Sequence, residues 1–276
     1  MASSSPAAGN RRTIVGVSTK MYFPLARTRS YVAAILKILE TDTEAVLDHT
    51  DLFVIPDFVS LASVSQQLRE SPVRSGVLLG AQDCGWEDYG AFTGFVSPAV
   101  LADVGVRIVE IGHAERRRLL GETDKTTAAK AVAAVQQGLI PLVCIGEVAK
   151  PSSDAQAYAA TIAAVVDQVT PVLDAVPDDS EVLLAYEPVW AIGAAQPASA
   201  EHVRAVVGGI RQSCAALKRR GAGRTRILYG GSAGPGLFAQ LGGGGGGDDE
   251  VDGLFLGRFG HDPEQFFKTA KEVAGL

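Results

Sequence analysis

The sequence predicts one α/β domain in which eight parallel strands, each followed by helical sequence, close into a single (β/α)8 barrel. Apolar, β-branched runs of four to six residues recur eight times, and segments of helical spacing separate them. Parallel neighbours need a crossover helix, and their strands are buried on both faces and so read as continuous apolar runs. The length of 276 residues is typical of one such barrel. The predicted strands cover residues 14–18, 52–56, 77–81, 106–111, 140–145, 182–186, 226–229 and 253–257.

Helical apolar spacing is clearest in four of the segments between these strands. They cover residues 31–40, 125–138, 157–169 and 199–220. Ser199 is a predicted N-cap, and Gly138 and Gly221 stand where C-caps are expected.

Two stretches fall outside the repeating pattern. Residues 1–12 are small and polar, and their two arginines follow the tail instead of preceding an apolar segment, which predicts a disordered leader. A short organelle transit peptide is the alternative. The barrel domain then covers residues 13–276. The six glycines at 242–247 precede acidic residues, so a linker is favoured there over a phosphate-binding loop.

Composition excludes several classes of protein. The net charge is -6 and the basic residues are scattered, so no nucleic-acid footprint is expected. No apolar run is long enough for a bilayer span, so no membrane partner is expected. Cys84, Cys144 and Cys214 are odd in number and widely spaced, which favours reduced thiols in the cytoplasm over disulfides or a zinc site.

Three chemically active side chains each follow a different predicted strand. Glu187 ends the apolar run before Pro188, Lys20 follows IVGVS, and His113 follows VRIVEIG. In (β/α)8 enzymes the catalytic groups stand at the carboxyl ends of the strands. We therefore interpret the three as a base, a cation and an imidazole, although a surface histidine and a solvated lysine are the alternatives.

The residues after His113 begin a charged helix. A histidine at a helix N-terminus is disfavoured from protonation, so we expect a neutral imidazole that donates a hydrogen bond. Glu115 is expected to pair with Lys20 and to hold it in place.

Glycine-rich loops follow the last two predicted strands. Gly230 and Gly231 precede Ser232 in the first loop, and Gly257 precedes Arg258 in the second. Barrel phosphate sites are built from the loops after strands seven and eight, where bare backbone N–H groups can approach an anion. The two loops together favour a phosphate site over simple turns.

Five motifs in order resemble the triosephosphate isomerase family, from Ile14 to the final helix. They are GAFTG at 90–94, GHAERR at 112–117, CIGE at 144–147, AYEPVWAIG at 185–193 and YGGS at 229–232. The resemblance implies a TIM barrel that interconverts dihydroxyacetone phosphate and glyceraldehyde 3-phosphate through an enediolate, with no metal or organic cofactor.

The resemblance also implies roles for individual residues. Glu187 would be the base, His113 the neutral electrophile and Lys20 the oxyanion stabiliser. Residues 188–195 would form a lid that excludes water, and Gly193 within it would bind the phosphate together with Ser232.

One further motif concerns assembly. Thr93 lies in GAFTG, which resembles the loop tip that reaches into a neighbouring subunit in this family. The resemblance therefore implies a homodimer.

The sequence departs from the family pattern at substrate-contacting positions. Ser18 replaces the usual asparagine and leaves more room, and Arg258 follows Gly257 where two glycines are usual. Arg258 either grips an anion or points to solvent. The segment AAQPAS at 194–199 replaces a threonine-rich hinge, and Pro197 would stiffen it.

These departures leave the substrate open. The triose reaction is preferred because its motifs dominate the chain, and the alternative is an erythrulose phosphate, a four-carbon ketose phosphate that would suit the room beside Ser18. A barrel that binds a sugar phosphate without turnover is a remote alternative, and a lyase would need a Schiff-base lysine inside the barrel.

Overall fold

A computed structural model describes residues 12–276 except 43, 74–75, 153–154, 195–196, 222, 244–246 and 249. The described residues do not include 1–11 of the predicted leader, 195–196 of the predicted lid and hinge, or 244–246 of the predicted linker. Arg12, the last residue of the predicted leader, hydrogen-bonds through its guanidinium to Asp51 Oδ1 at 2.6 Å.

Eight parallel strands close into a barrel in sequence order, and β1 pairs with both β2 and β8. The predicted fold is confirmed, with strand ends within two residues of the predicted positions. The strands are β1 Thr13–Ser18, β2 Thr50–Ile55, β3 Val77–Ala81, β4 Ile108–Ile111, β5 Ile140–Ile145, β6 Val182–Tyr186, β7 Thr225–Tyr229 and β8 Gly253–Leu256.

Helices cover the outside of the barrel. In the described chain they are α1 Leu25–Asp42, α2 Glu44–His49, α3 Leu61–Glu70, α4 Pro98–Val104, α5 Ala114–Leu120, α6 Asp124–Gln136, α7 Ala155–Ala175, α8 Ala200–Ser213, α9 Ala215–Arg219, α10 Leu237–Gln240 and α11 Pro263–Ala274. None of them is long and apolar enough to cross a membrane.

The sequence predicted one continuous helix over residues 199–220. This prediction is wrong, because the structure has two helices there, α8 and α9. The backbone leaves helical geometry at Cys214, where ψ is 104° and the side chain is fully buried in the core between helices and strands. The predicted N-cap is confirmed, because Ser199 Oγ accepts a hydrogen bond from the backbone N–H of His202. Gly221 does not cap α9, because the helix ends at Arg219 and Arg220 is already in an extended conformation.

The core has two layers, as strands buried on both faces require. An inner layer fills the barrel with side chains such as Ile14, Phe53 and Leu228, and an outer layer packs the helices on the strands. All three cysteines are free and buried. The carboxyl ends of the strands remain open above the inner layer and hold the site described next.

Candidate active site

A cavity of about 690 Å³ opens at the carboxyl ends of the strands. Its lining brings together nine of the ten residues that the sequence predicted for the site. They are Ser18, Lys20, His113, Glu115, Glu187, Gly193, Ser232, Gly257 and Arg258. Thr93 is not part of this lining and is exposed in the loop between β3 and α4.

Glu187 follows β6 directly and is held there by its backbone. Its N–H donates to Ile145 O at 2.8 Å on the neighbouring strand. Gly230, which follows β7, leaves room for the side chain, because a Cβ at that position would lie 2.5 Å from Glu187 Cγ. Gly146 is at φ +157°, and a Cβ there would come within 2.0 Å of Glu187 O. Gly146, after β5, therefore makes space for the backbone of Glu187, and Gly230, after β7, makes space for its side chain.

The carboxylate of Glu187 is buried and incompletely paired. Its Oε2 has no hydrogen-bond partner among the described residues, although His113 Nε2 lies 3.3 Å away without the alignment of a hydrogen bond. Burial raises the pKa of Glu187 to about 8, with the charges of Glu110 and Glu115 adding to the rise and Lys20 opposing it. A carboxylate with this proton affinity suits a base that must return its proton.

His113 presents a neutral imidazole to the cavity. It is the N-cap of α5, and its Nδ1 accepts a hydrogen bond from the backbone N–H of Glu115 at 3.1 Å. The neutral ring therefore carries its proton on Nε2, the nitrogen nearest Glu187. Burial, followed by the charge of Lys20, lowers the pKa of His113 to about 4. The neutral state thus comes mainly from burial, whereas the sequence indicated the helix terminus.

Lys20 is held in a strained conformation in the same cavity as Glu187. Among the residues that the structure describes, it is the one non-glycine residue at positive φ, with a value of 46°. Gln82 Nε2 donates to Lys20 O at 2.8 Å, and Lys20 Nζ donates to Glu115 Oε1 at 2.9 Å, as the sequence predicted for this pair. Burial opposes the charge of Lys20, but the hydrogen bond to Glu115 and the charge of Glu187 leave its pKa raised.

A second part of the cavity lining is rich in glycine. Gly193 is at φ +71°, and no atom of the described residues lies within 4 Å of the position that a Cβ at Gly257 would take. The Ser232 hydroxyl donates to Ala194 O at 3.1 Å, so the loop after β7 contacts the predicted lid. Arg258 is exposed at the cavity edge, which leaves its guanidinium free to reach an anion.

The start of the predicted lid is anchored by a buried acid. Trp190 Nε1 donates to Glu147 Oε1 at 2.8 Å, and the Tyr186 hydroxyl donates to Glu147 Oε2 at 3.0 Å. His202 Nε2 lies 2.9 Å from Glu147 Oε1. These contacts lower the pKa of Glu147 against the effect of its burial, the His202 hydrogen bond contributing most.

Sequence reasoning missed three residues in or near this cavity. Tyr22 and His261 line the cavity, and Glu110 lies beneath it with 4% exposure. His261 Nε2 is 3.1 Å from Ser18 O. One signal was visible in the sequence, because Glu110 is a charged residue inside an apolar strand, three positions before His113.

In the comparison with known proteins, one family model matches the whole barrel. The family model described as triosephosphate isomerase matches residues 13–273. An L-erythrulose-1-phosphate isomerase of Pectobacterium atrosepticum is 44% identical, over 97% of this chain and 98% of that protein. A protein of the same description from Rhizobium etli is 36% identical over 94% and 92% of the two chains. A triosephosphate isomerase of Aquifex aeolicus is 34% identical over 93% and 98%.

Proposed function

We propose, from the premise that this chain belongs to the triosephosphate isomerase family and is a sugar-phosphate isomerase, that its substrate is a four-carbon ketose phosphate such as L-erythrulose 1-phosphate. The observation that carries the proposal of catalysis is the buried carboxylate of Glu187, with an unpartnered oxygen in a cavity that also holds a neutral imidazole and an ammonium.

The two candidate substrates share the same reacting atoms. In dihydroxyacetone phosphate, the carbonyl carbon lies between the carbon that bears the phosphate and the carbon that loses a proton. L-Erythrulose 1-phosphate keeps this arrangement and adds one CH2OH group to the carbon that loses the proton. One set of catalytic residues can therefore serve both, and the difference lies in space and hydrogen bonding around that extra group.

In the proposed reaction, Glu187 removes the proton from the carbon next to the carbonyl. The Nε2–H of His113 and the ammonium of Lys20 stabilise the oxygen atoms of the resulting enediolate. Glu187 then returns the proton to the former carbonyl carbon, while the hydroxyl proton passes to the former carbonyl oxygen through the imidazole of His113, so the carbonyl moves one position along the chain. For the triose the product is an aldose, and for the tetrulose it is a second ketose. One carbon of the substrate is oxidised as its neighbour is reduced, so the substrate as a whole is neither oxidised nor reduced. The proposed reaction therefore needs no metal or organic cofactor.

The glycine-lined wall of the cavity is the proposed phosphate site. Gly193, Ser232 and Gly257 offer backbone N–H groups, and Arg258 adds a positive charge at the edge. With the phosphate there, the reacting carbons extend toward Glu187 and Lys20. The small side chain of Ser18 in the cavity lining supports a substrate larger than a triose. The 44% identity to an L-erythrulose-1-phosphate isomerase, against 34% to a triosephosphate isomerase, supports the same choice.

The triose phosphate remains the second candidate because every catalytic group of the triose reaction is present. A direct comparison of kcat/KM for L-erythrulose 1-phosphate and dihydroxyacetone phosphate on one preparation separates the two. We expect the tetrulose to be preferred by at least about tenfold. Equal or greater kcat/KM for the triose would overturn the proposed substrate.

Turnover itself needs a separate test, because a barrel could bind a sugar phosphate without catalysis. Glu187→Asp moves the carboxylate back by one methylene and should reduce exchange of substrate hydrogen with deuterated solvent by about 100-fold or more. Binding of inorganic phosphate should be unchanged, since the proposed phosphate site does not include Glu187. Undiminished exchange in this variant would exclude Glu187 as the base.

A homodimer in the cytoplasm completes the proposal. Trp86, Phe92 and Phe95 form an exposed aromatic cluster beside Thr93, with ring centroids of Trp86 and Phe95 5.0 Å apart. Exposed aromatic clusters are typical of surfaces that bind another protein. Sedimentation should give a dimer, and Phe92→Asp should shift it toward monomer. A monomeric wild type would refute this assembly.

The buried free cysteines support a reducing compartment such as the cytoplasm.

A further inference from the structure

His261 lines the cavity, and the proposed reaction does not use it. It ends the 3₁₀ helix Arg258–His261, which follows β8. Gly260 lets this helix lie close to β1, because a Cβ at that position would come within 2.9 Å of Val17 Cγ2. The Tyr31 hydroxyl donates a hydrogen bond to Gly260 O. The segment that carries His261 is therefore held firmly against β1.

The imidazole of His261 is itself fixed by its neighbours. The ring is edge-on to Phe23, with ring centroids 4.8 Å apart, and tilted against Tyr22 at 5.5 Å. Its Nε2 lies 3.1 Å from Ser18 O, at the carboxyl end of β1. A ring held in this way is pre-organised for a ligand, because little side-chain freedom remains to be lost on binding.

The contact with Ser18 decides which ring nitrogen carries the proton. A carbonyl oxygen only accepts, so this hydrogen bond requires a proton on Nε2. Burial lowers the pKa of His261 against the opposing effect of that bond, and the positive charges nearby act in the same direction as burial. The ring is therefore neutral, with a lone pair on Nδ1. In the part of the chain that the structure describes, no group donates a hydrogen bond to this atom.

His261 stands on the side of the cavity where Ser18 leaves room. The two residues are in contact, and both line the cavity. Lys20, the proposed stabiliser of the enediolate, comes two residues after Ser18. A substrate group next to the reacting carbons is therefore expected beside Ser18 and His261.

Two other acceptor side chains of the lining are already occupied. Glu115 Oε1 accepts from Lys20 Nζ at 2.9 Å, and Gln168 Oε1 accepts from the Gly146 N–H at 2.9 Å. The Nδ1 of His261 is by contrast available to a ligand.

We propose that His261 is a specificity residue of this isomerase, whose Nδ1 accepts a hydrogen bond from the terminal hydroxyl of a four-carbon ketose phosphate. The proposal rests on the proposed function and names the group that selects its substrate. L-Erythrulose 1-phosphate differs from the triose by one CH2OH group, and this group carries the hydroxyl in question.

The arrangement favours the tetrulose because a fixed lone pair needs a donor. A site that hydrogen-bonds a substrate hydroxyl discriminates against an analogue that lacks it, since the polar group of the site is then left unpaired. His261 is half-buried, so water replaces the missing hydroxyl in part. We therefore expect His261 to contribute about tenfold to the preference for the tetrulose.

Two substitutions separate recognition by Nδ1 from anchoring by Nε2. The amide of glutamine can reach the place of Nε2 and donate to Ser18 O, but it leaves no acceptor in the place of Nδ1. The oxygen of asparagine can take the place of Nδ1, but its side chain is too short to keep the bond to Ser18.

We expect His261→Gln to lower the ratio of kcat/KM for the tetrulose to that for the triose by about tenfold, and His261→Asn to keep it within about threefold of the wild type. His49→Gln makes the same change at an exposed histidine just before β2, at the opposite end of the barrel, and should leave the ratio unchanged. A ratio that falls in His261→Asn and stays in His261→Gln would overturn the proposal, because His261 would then act only as an anchor for Ser18.

A substrate analogue tests the hydrogen bond directly. 4-Deoxy-L-erythrulose 1-phosphate has a methyl group in place of CH2OH, so it needs nearly the same room but lacks the donor. In the wild type, kcat/KM should be about tenfold lower for the analogue than for the tetrulose, and in His261→Gln the two values should be equal. A wild type that does not distinguish the two compounds, or losses from variant and analogue that add, would contradict the proposed contact.

A binding measurement separates this proposal from the proposed function. Glu187→Gln lacks the proposed base, so sugar phosphates can be bound to it without turnover. In ¹⁵N NMR spectra of this variant, His261 should carry its proton on Nε2. Addition of L-erythrulose 1-phosphate should shift the Nδ1 resonance, whereas dihydroxyacetone phosphate should leave it in place.

This measurement changes nothing at His261, so it also serves if His261→Gln does not fold. If the wild type isomerises neither sugar, the proposed function fails, and the Nδ1 resonance still decides the role of His261. A proton on Nδ1, no shift with the tetrulose, or an equal shift with both sugars would each refute the proposal.

Discussion

Replacement of the proposed base should stabilise the fold at neutral pH. In Glu187→Gln the buried group can no longer ionise. The pKa of Glu187 is raised from 4.5 to about 8, so the folded state resists an ionisation that the unfolded chain undergoes freely. At pH 7 the unfolded state gains about 3 kcal/mol from this difference. A buried amide without a full set of partners offsets roughly 1–2 kcal/mol of the gain.

The expected net effect is a rise of about 1–2 kcal/mol in the free energy of unfolding at pH 7. Because the folded pKa lies above the unfolded one, the wild type loses stability as the pH rises from 4.5 toward 8. The advantage of the variant should therefore grow over this range, and below pH 4.5 only the cost of the buried amide, about 1–2 kcal/mol, should remain. Urea unfolding at several pH values measures it, and turnover should be lost in the same variant.

Glu147→Gln is the matched control, because this acid is paired and its pKa is lowered. Trp190, Tyr186 and His202 would each lose a charged partner, so we expect a loss of about 1–3 kcal/mol above pH 4.5 that fades as the pH falls. If Glu187→Gln were as destabilising as the control at pH 7, the account of a buried carboxylate whose ionisation is disfavoured by folding would be wrong.

Three further predictions concern the geometry of the site. Gly230→Ala should displace Glu187, since the new Cβ would lie 2.5 Å from its Cγ, and should reduce kcat by about 100-fold. Gly221→Ala should leave kcat unchanged, because the nearest described atom beyond its chain neighbours is Arg224 Cγ at 4.0 Å. A wild-type kcat in the first variant would contradict the packing argument. The imidazole of His113 should remain neutral in ¹⁵N NMR spectra down to pH 5.5, because its pKa is lowered to about 4, and a protonated ring at that pH would refute its role as a neutral donor. Arg258→Ala should raise KM by about tenfold with little change in kcat if the guanidinium binds the phosphate, and an unchanged KM would place it in solvent.

Much of the candidate site was predictable because strand ends have fixed places in a barrel. Lys20, His113 and Glu187 each follow a recognisable apolar run, and closure of the barrel brings such positions to one end. The glycines after β7 and β8 follow the same rule.

Local detail was harder to predict where a distant contact decides it. The break at Cys214 has no glycine or proline to mark it, and the thiol is buried at that point by packing against the rest of the core. The positive φ of Lys20 is held by Gln82, which lies on a different strand connection. Neither residue type signals the conformation that it adopts.

The sequence by itself determined the order of strands and helices, the barrel and the side chains that stand at its mouth, because hydrophobic periodicity and strand ends are local properties of a chain. Only the tertiary structure decided which of those side chains touch and how each is charged. Burial raises the pKa of Glu187 and lowers that of His113. Desolvation and charge interactions depend on distances between residues that are far apart in sequence, and closure of the barrel sets those distances.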